Sequence, residues 1–417
     1  MKNIIHKSLL IIATLMLIFT LGCETAQDKD PLEGQISEIE ETPEYIVQYT
    51  KGYNLARSKN FKAAIKNYKN AYNILSNMDE SKMNEKAMMT YRNTVLGLGR
   101  AYGNIDDMKN SSKYFEMYID KYPNQYNGYL YYGAILEKKG YSDKAQKQFE
   151  KAMEVNPDSA QAEFALANIM REKGMLEEAI KFYKKGLEKD PEFQNGNGWF
   201  QLAKTYEQMG DLDGQISAYE NLIEYRPENS EACCSLADSY LSKGLSIGRE
   251  SGAKELTAEQ KANRIKYYKE AVKYAEKAYE ISPNSTRAAN FLANSYLKLS
   301  DMYTKTDPAK VQENASKVLP VAKKIVENNP DSTAGYTLLA EANLKLKNYR
   351  KAIDNAKKSL EVEDTAYARS ILADTYFEIE NWEQAYTHYI KIVDNPNYPY
   401  VKGRLKIVNK RLRGEYN

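Results

Sequence analysis

Two adjacent cysteines, Cys233-Cys234, are the first residues in this chain that could do chemistry. Neighbouring thiols on one helix cannot bridge without unusual backbone strain. Cys233 falls on an apolar stripe and reads as packing. Cys234 is expected to face a groove, and a redox or metal role stays open beside the packing one. The run Gly97-Leu98-Gly99-Arg100-Ala101-Tyr102-Gly103 brushes against a dinucleotide fingerprint. It fails, because the third glycine comes one place late and no strand precedes it. Glu177-Glu178 stand where a helix starts, where they favour the helix dipole and water over catalysis. The chain has two histidines, His6 and His388, too few for imidazole-based metal or triad chemistry, and its three cysteines cannot make a disulfide framework. No phosphate loop, His-Glu-x-x-His or Gly-x-Ser-x-Gly pattern occurs. These absences argue against an enzyme, and no metal or cofactor is expected.

The elements around these residues repeat. Tyr126 to Pro157 holds two short helices joined by Lys139-Gly140-Tyr141-Ser142-Asp143. Tyr129, Tyr132, Gly133 and Leu136 share one stripe, and Ala145, Phe149 and Ala152 another, at the three-and-four spacing of a helical face. Gly140 ends the first helix and Pro157 follows the second. Such a hairpin has too little apolar area to stand alone. Its successor is visible, because Ala145, Phe149, Ala152 and Pro157 recur 34 residues later as Ala179, Tyr183, Gly186 and Pro191. With this period, the chain resembles a tetratricopeptide repeat (TPR) protein. The resemblance implies an all-α fold, an α-solenoid forming a right-handed superhelix of about nine helix hairpins.

The composition suits such an array: 28% charged residues, 42% hydrophobic ones and a net charge of +2, with no global nucleic-acid signal. Thirty-five tyrosines have a packing explanation in TPR helices. Residues 1–22 read as a signal peptide, with Lys2 and Lys7 before the apolar run Leu9–Leu21, which is too short to span a membrane comfortably. Gly22-Cys23 resembles a bacterial lipobox, with Thr20 where that motif prefers Leu. The resemblance implies lipidation of Cys23, the alternatives being a plain cleaved signal or an uncleaved anchor. Residues 23–44 then form an acidic, flexible tether of net charge −7, interrupted by Pro31, Gly34 and Pro43.

The array is expected over residues 45–397. Two extra residues fall near Gln194–Gly198. Larger insertions fall at Lys243–Ala262 and Ser300–Asn314, between the two helices of a hairpin, and should emerge at one edge. Ser111 stands where Ala is usual, and Asp364 where a closing proline is usual. Residues 398–417 form a basic helix with Val401, Leu405, Val408 and Leu412 on one stripe. It reads as a cap for the last repeat. The alternative is a basic patch for anionic lipid or nucleic acid.

In TPR proteins the first helices line the binding groove. The resemblance places Asn127, Leu130 and Lys138 there, then Phe164, Asn168 and Arg171, then Asn197, Phe200, Lys204 and Glu207. Further along it places Asn290, Asn294, Tyr367 and Phe377. The two-Lys, two-Asn, Arg clamp that some TPR modules use for a carboxylate is absent, since Phe200/Lys204 and Asn290/Asn294 stand in its place. The implied function is a membrane-tethered scaffold that binds a protein or peptide, without nucleic acid, in assembly of the bacterial cell envelope. The competing expectation is a peptidoglycan- or glycan-binding accessory, with Phe164, Phe200 and Tyr367 stacking on sugars.

Overall fold

The computed structural model describes residues 42–247 and 255–415. The expected signal segment, Cys23 and nearly all of the acidic tether lie outside the described residues. Among the described residues there are nineteen α-helices and no strand. The fold is the expected all-α solenoid. No helix there is long and apolar enough to cross a membrane.

The helices fall into two compact units, divided between Met209 and Gly210. The first holds four hairpins: α1 (Glu44–Arg57) with α2 (Phe61–Ser76), α3 (Glu85–Asn104) with α4 (Met108–Lys121), α5 (Tyr126–Lys138) with α6 (Ser142–Val155), and α7 (Ala160–Glu172) with α8 (Leu176–Lys189). It closes with α9 (Phe193–Met209). The second opens with α10 (Leu212–Tyr225). It continues with α11 (Ser230–Ser246) and α12 (Ala258–Ile281), α13 (Thr286–Tyr303) and α14 (Pro308–Asn328), α15 (Thr333–Lys345) and α16 (Tyr349–Val362), and α17 (Ala366–Glu378) and α18 (Trp382–Tyr389). The helix α19 (Val401–Leu412) comes last. Of the nine pairs counted from sequence, the fifth, α9 with α10, contributes one helix to each unit.

One turn recurs through the array. A left-handed residue stands two places before the second helix at Lys59, Asp106, Gly140, Gly174, Gly210, Lys347 and Glu380, with φ between 58° and 79°. Glycine takes this conformation freely, whereas the others accept some backbone strain. Within a unit the conformation tightly reverses the chain and brings the two helices of a hairpin together. The hairpin α13/α14 lacks the turn and carries a large insertion, and in α11/α12, the other hairpin with one, residues 248–254 of the connection lie outside the described residues.

Where the structure describes them, those insertions extend the helices on either side. In the α13/α14 hairpin they lengthen both helices, and only residues 304–307 remain between them. Asp307 caps α14 with Pro308 at its first turn, and the added turns pack, since Ser300 is fully buried and Asn314 nearly so. In the α11/α12 hairpin the extra residues carry α11 to Ser246 and give α12 24 residues. The small insertion near Gln194 is a kink: Gln194, Asn195 and Gly196 are all left-handed, and Trp199 donates its indole N–H to the Pro191 carbonyl across it at 3.0 Å.

In the first three hairpins a ring from the second helix lies over a glycine of the first. Gly52 faces Tyr68, Gly99 faces Phe115 and Gly133 faces Phe149, where an added Cβ would stand 2.7, 3.0 and 2.7 Å from the ring. Ser111 is fully buried, and its hydroxyl donates to the Gly99 carbonyl at 2.8 Å. Between hairpins, first helices touch the next first helix, while second helices lean on the next first helix and not on the next second helix. The first helices therefore close ranks along one side of each unit and form a continuous wall. At the chain's end, Val401, Leu405 and Val408 of α19 are buried and α19 packs on α18, whereas Leu412 is 43% exposed and leaves the expected stripe.

Candidate functional site

The wall of the first unit is built from α1, α3, α5, α7 and α9. The position after each small packing residue faces outward and holds Tyr53, Arg100, Ala134, Asn168 and Lys204 in turn. Arg100 lies 4.5 Å over the ring of Tyr131, and Lys138 donates to Asn104 at 2.8 Å. Asn168 accepts the Tyr183 hydroxyl at 2.5 Å, and the Nε of Arg171 is buried with no hydrogen-bond partner. Lys204 pairs with Glu207 at 2.6 Å and sits 5.9 Å over Phe200. Asn197 donates to Gln194 at 3.1 Å. Asn127 and Lys138 are exposed, while Leu130, Asn168, Arg171, Asn197 and Phe200 are half-buried.

Phe164 does not belong to this wall. It is 4% exposed and stacks on Phe193 at 4.1 Å. The reason is a hole left by two glycines, since a Cβ at Gly198 would come within 2.6 Å of its ring and one at Gly186 within 3.0 Å. A sugar-stacking role for Phe164 goes with it.

Glu137, on the same wall, was not legible as special. Burial first, and the neighbouring Glu172 second, push its carboxyl up to about 7. An acid with a raised folded-state pKa binds its proton more tightly folded than unfolded, so stability is lost as pH rises from the unfolded value through the folded one. Stability of the first unit is expected to fall between about pH 4.5 and pH 7 on this account. Glu137→Gln should remove the loss, gaining on the order of 2–3 kcal/mol at pH 8 and nothing at pH 4. Denaturant unfolding at both pH values checks this, and a gain equal at the two would refute it.

In the second unit the corresponding outward positions are Asp238, Asn294, Glu341 and Asp374, more acidic than their counterparts in the first. Arg287 bonds to Glu231 at 3.0 Å, and Asn294 donates to the Asn290 carbonyl at 2.8 Å. The side-chain oxygen of Asn290 is buried without a partner. Lys345 bridges Asp301 and Glu341, and Tyr367 donates to Glu341. Burial raises the Glu341 carboxyl, with Lys345 opposing. Asp374 accepts the hydroxyls of Tyr389 and Tyr400, and burial raises it against those bonds. Arg404 of α19 lies 4.0 Å over Phe377. Tyr367 and Phe377 thus reach the wall, tied into a polar network that fastens the last hairpin and α19 together.

The cysteines are not groove residues. Cys233 is fully buried and Cys234 is 1% exposed, because the first helices α11 and α13 also pack on each other. Burial pushes the Cys234 thiol up to about 11, so little reactive thiolate exists at neutral pH. Among the described residues no cluster of three or more His, Cys, Asp or Glu could hold a metal. His388 is half-buried, stacked 6.0 Å from Tyr376, and pushed down to about 4 by burial and then by Arg369, Lys391 and Lys357.

Stacked helix hairpins with a first-helix wall in each unit define an α-solenoid of the interaction-scaffold class. Residues 93–124, 138–196, 197–229 and 263–285 match tetratricopeptide repeat families, so the chain carries tetratricopeptide repeats. No curated protein matches it. Among solved structures it is similar to the C-terminal part of a TPR repeat-containing protein from Cytophaga hutchinsonii, at 17% identity over 70% of this chain and 99% of that one, with a TM-score of 0.48. It is also similar to a thermophilic TPR protein of Thermus thermophilus, at 19% identity over 51% and 98%, with a TM-score of 0.37. Yeast Tom70 is similar at 15% identity over 90% and 72%, with a TM-score of 0.41.

Proposed function

We propose that this protein is a non-catalytic adaptor that holds protein or peptide segments against its first-helix walls, tethered to a bacterial envelope membrane through lipid on Cys23, and serves assembly of an envelope complex. The observation that carries the binding role is the first-unit wall, where half-exposed Leu130 and Phe200 stand among amides and charges, the mixture that grips an extended or helical segment. The tether rests on the apolar run before Gly22-Cys23 and the acidic segment after it.

Photocrosslinkers at Leu130, Phe200 and Tyr367 in living cells test both parts. The expected result is a discrete crosslinked protein from the membrane fraction, absent when the probe is moved to buried Phe164. Cys23→Ala should release the adaptor from membranes. Retention on purified cell wall without protein capture would favour the glycan reading, and unchanged membrane association of Cys23→Ala would remove the tether.

A further inference from the structure

The helix α19 has two unlike faces. One buries Val401, Leu405 and Val408. On the other, Lys402, Lys406, Lys410 and Arg413 follow at intervals of four, four and three, which places them in one line along the helix. Ile407 lies beside the line and is 45% exposed. A Cβ built on Gly403 would meet nothing within 4 Å, so no described part of the chain covers this face. The other two cations are taken up elsewhere. Arg404 lies over Phe377 and pairs with Glu378, and Arg411 lies 5.8 Å over Trp382. These contacts fix the helix with its cationic line pointing outward. Lys402 has Asp394 at 3.6 Å, both exposed, and no described acid comes within ion-pair distance of Lys406, Lys410 or Arg413.

We propose that this ridge docks α19 on an anionic lipid surface, with Ile407 entering the headgroup layer. The charge favours any polyanion, but the neighbouring side chain selects among them. An exposed aliphatic beside the cations gains from a lipid interface and gives a nucleic acid nothing to stack on. Among the described residues, Tyr400 is the nearest exposed ring, and it is held by Asp374. The contact is separate from the wall and from the expected N-terminal lipid.

The test uses the full chain carrying Ile407→Trp, with wild type as the background for Trp199 and Trp382. It is mixed with phosphatidylcholine vesicles bearing brominated acyl chains, with and without phosphatidylglycerol. The expected result is quenching of the introduced indole only when phosphatidylglycerol is present, weakening as salt rises. The added substitutions Lys406→Glu, Lys410→Glu and Arg413→Glu should abolish it, weakening the contact by at least about 100-fold, with an unchanged helical circular-dichroism signal. The N-terminal segment is the same in every variant and cannot produce this difference. Three results would overturn the proposal: no quenching with phosphatidylglycerol, equal quenching in pure phosphatidylcholine, or quenching indifferent to the charge reversals. A labelled oligonucleotide bound through the same three cations while vesicles leave the indole unquenched would also overturn it.

Discussion

Truncating Phe149 to alanine is expected to cost about 3–5 kcal/mol and to loosen α5 and α6 before the rest of the first unit. The ring is 1% exposed and lies against Gly133, so its loss opens a cavity between the two helices of a hairpin that only its neighbours hold in place. A solenoid transmits stability through nearest-neighbour interfaces, and a weak link in the middle uncouples the hairpins on either side. Gly133→Ala should damage the same contact from the other side. Its Cβ would stand 2.7 Å from the ring, and overpacking of this kind costs about 1–3 kcal/mol. Shortening the ring relieves that clash, so Gly133→Ala in the Phe149→Ala background should cost less than it does alone. Denaturant unfolding with amide exchange reads both effects. Protection lost evenly across the first unit, or a cost below about 1 kcal/mol for Phe149→Ala, would contradict the argument.

The hairpins were legible because each second helix buries a single stripe, which leaves a clean three-and-four pattern such as Ala145, Phe149 and Ala152. The first helices were harder to read. They pack against their own partner and against the next first helix, so two of their faces are covered and polar residues fall on both. Cys234 was placed in the groove for that reason, although α13 packs on the helix that carries it. Phe164 occupies a wall position in the repeat register and is drawn inward by Gly186 and Gly198, residues 22 and 34 places downstream. No local pattern announces that hole. Glu137, Glu341 and Asp374 look like solvent-facing acids on amphipathic helices. What singles them out is enclosure by residues from other helices, and the only local sign was an acid recurring at the outward position in the second unit. The place of the Ser300–Asn314 insertion was legible but not its form: it lengthens α13 and α14, and two helices that grow together keep packing on each other.

Glu163 yields the other large expected effect. In the repeat register it stands where α5 has Tyr129 and α9 has Trp199, yet it is a carboxylate 1% exposed. Lys189 of α8 pairs with it and also donates to the Pro157 carbonyl, while the second carboxylate oxygen is buried without a partner. Lys189→Met would leave that charge alone in the interior, so a loss of about 3–5 kcal/mol is expected. Removing both charges is a different matter. Glu163→Leu combined with Lys189→Met abolishes the desolvation cost of the pair and restores an apolar residue at a position that favours one. The double variant should therefore be at least as stable as wild type, even though one of its two substitutions alone is severe. Equilibrium unfolding of the four proteins in a double-mutant cycle measures the coupling directly. If Lys189→Met costs less than about 1 kcal/mol, the pair behaves as a surface ion pair and the carboxylate is reached by water. If the double variant is the least stable of the four, the pair orders the α7/α8 hairpin in a way that apolar packing cannot replace.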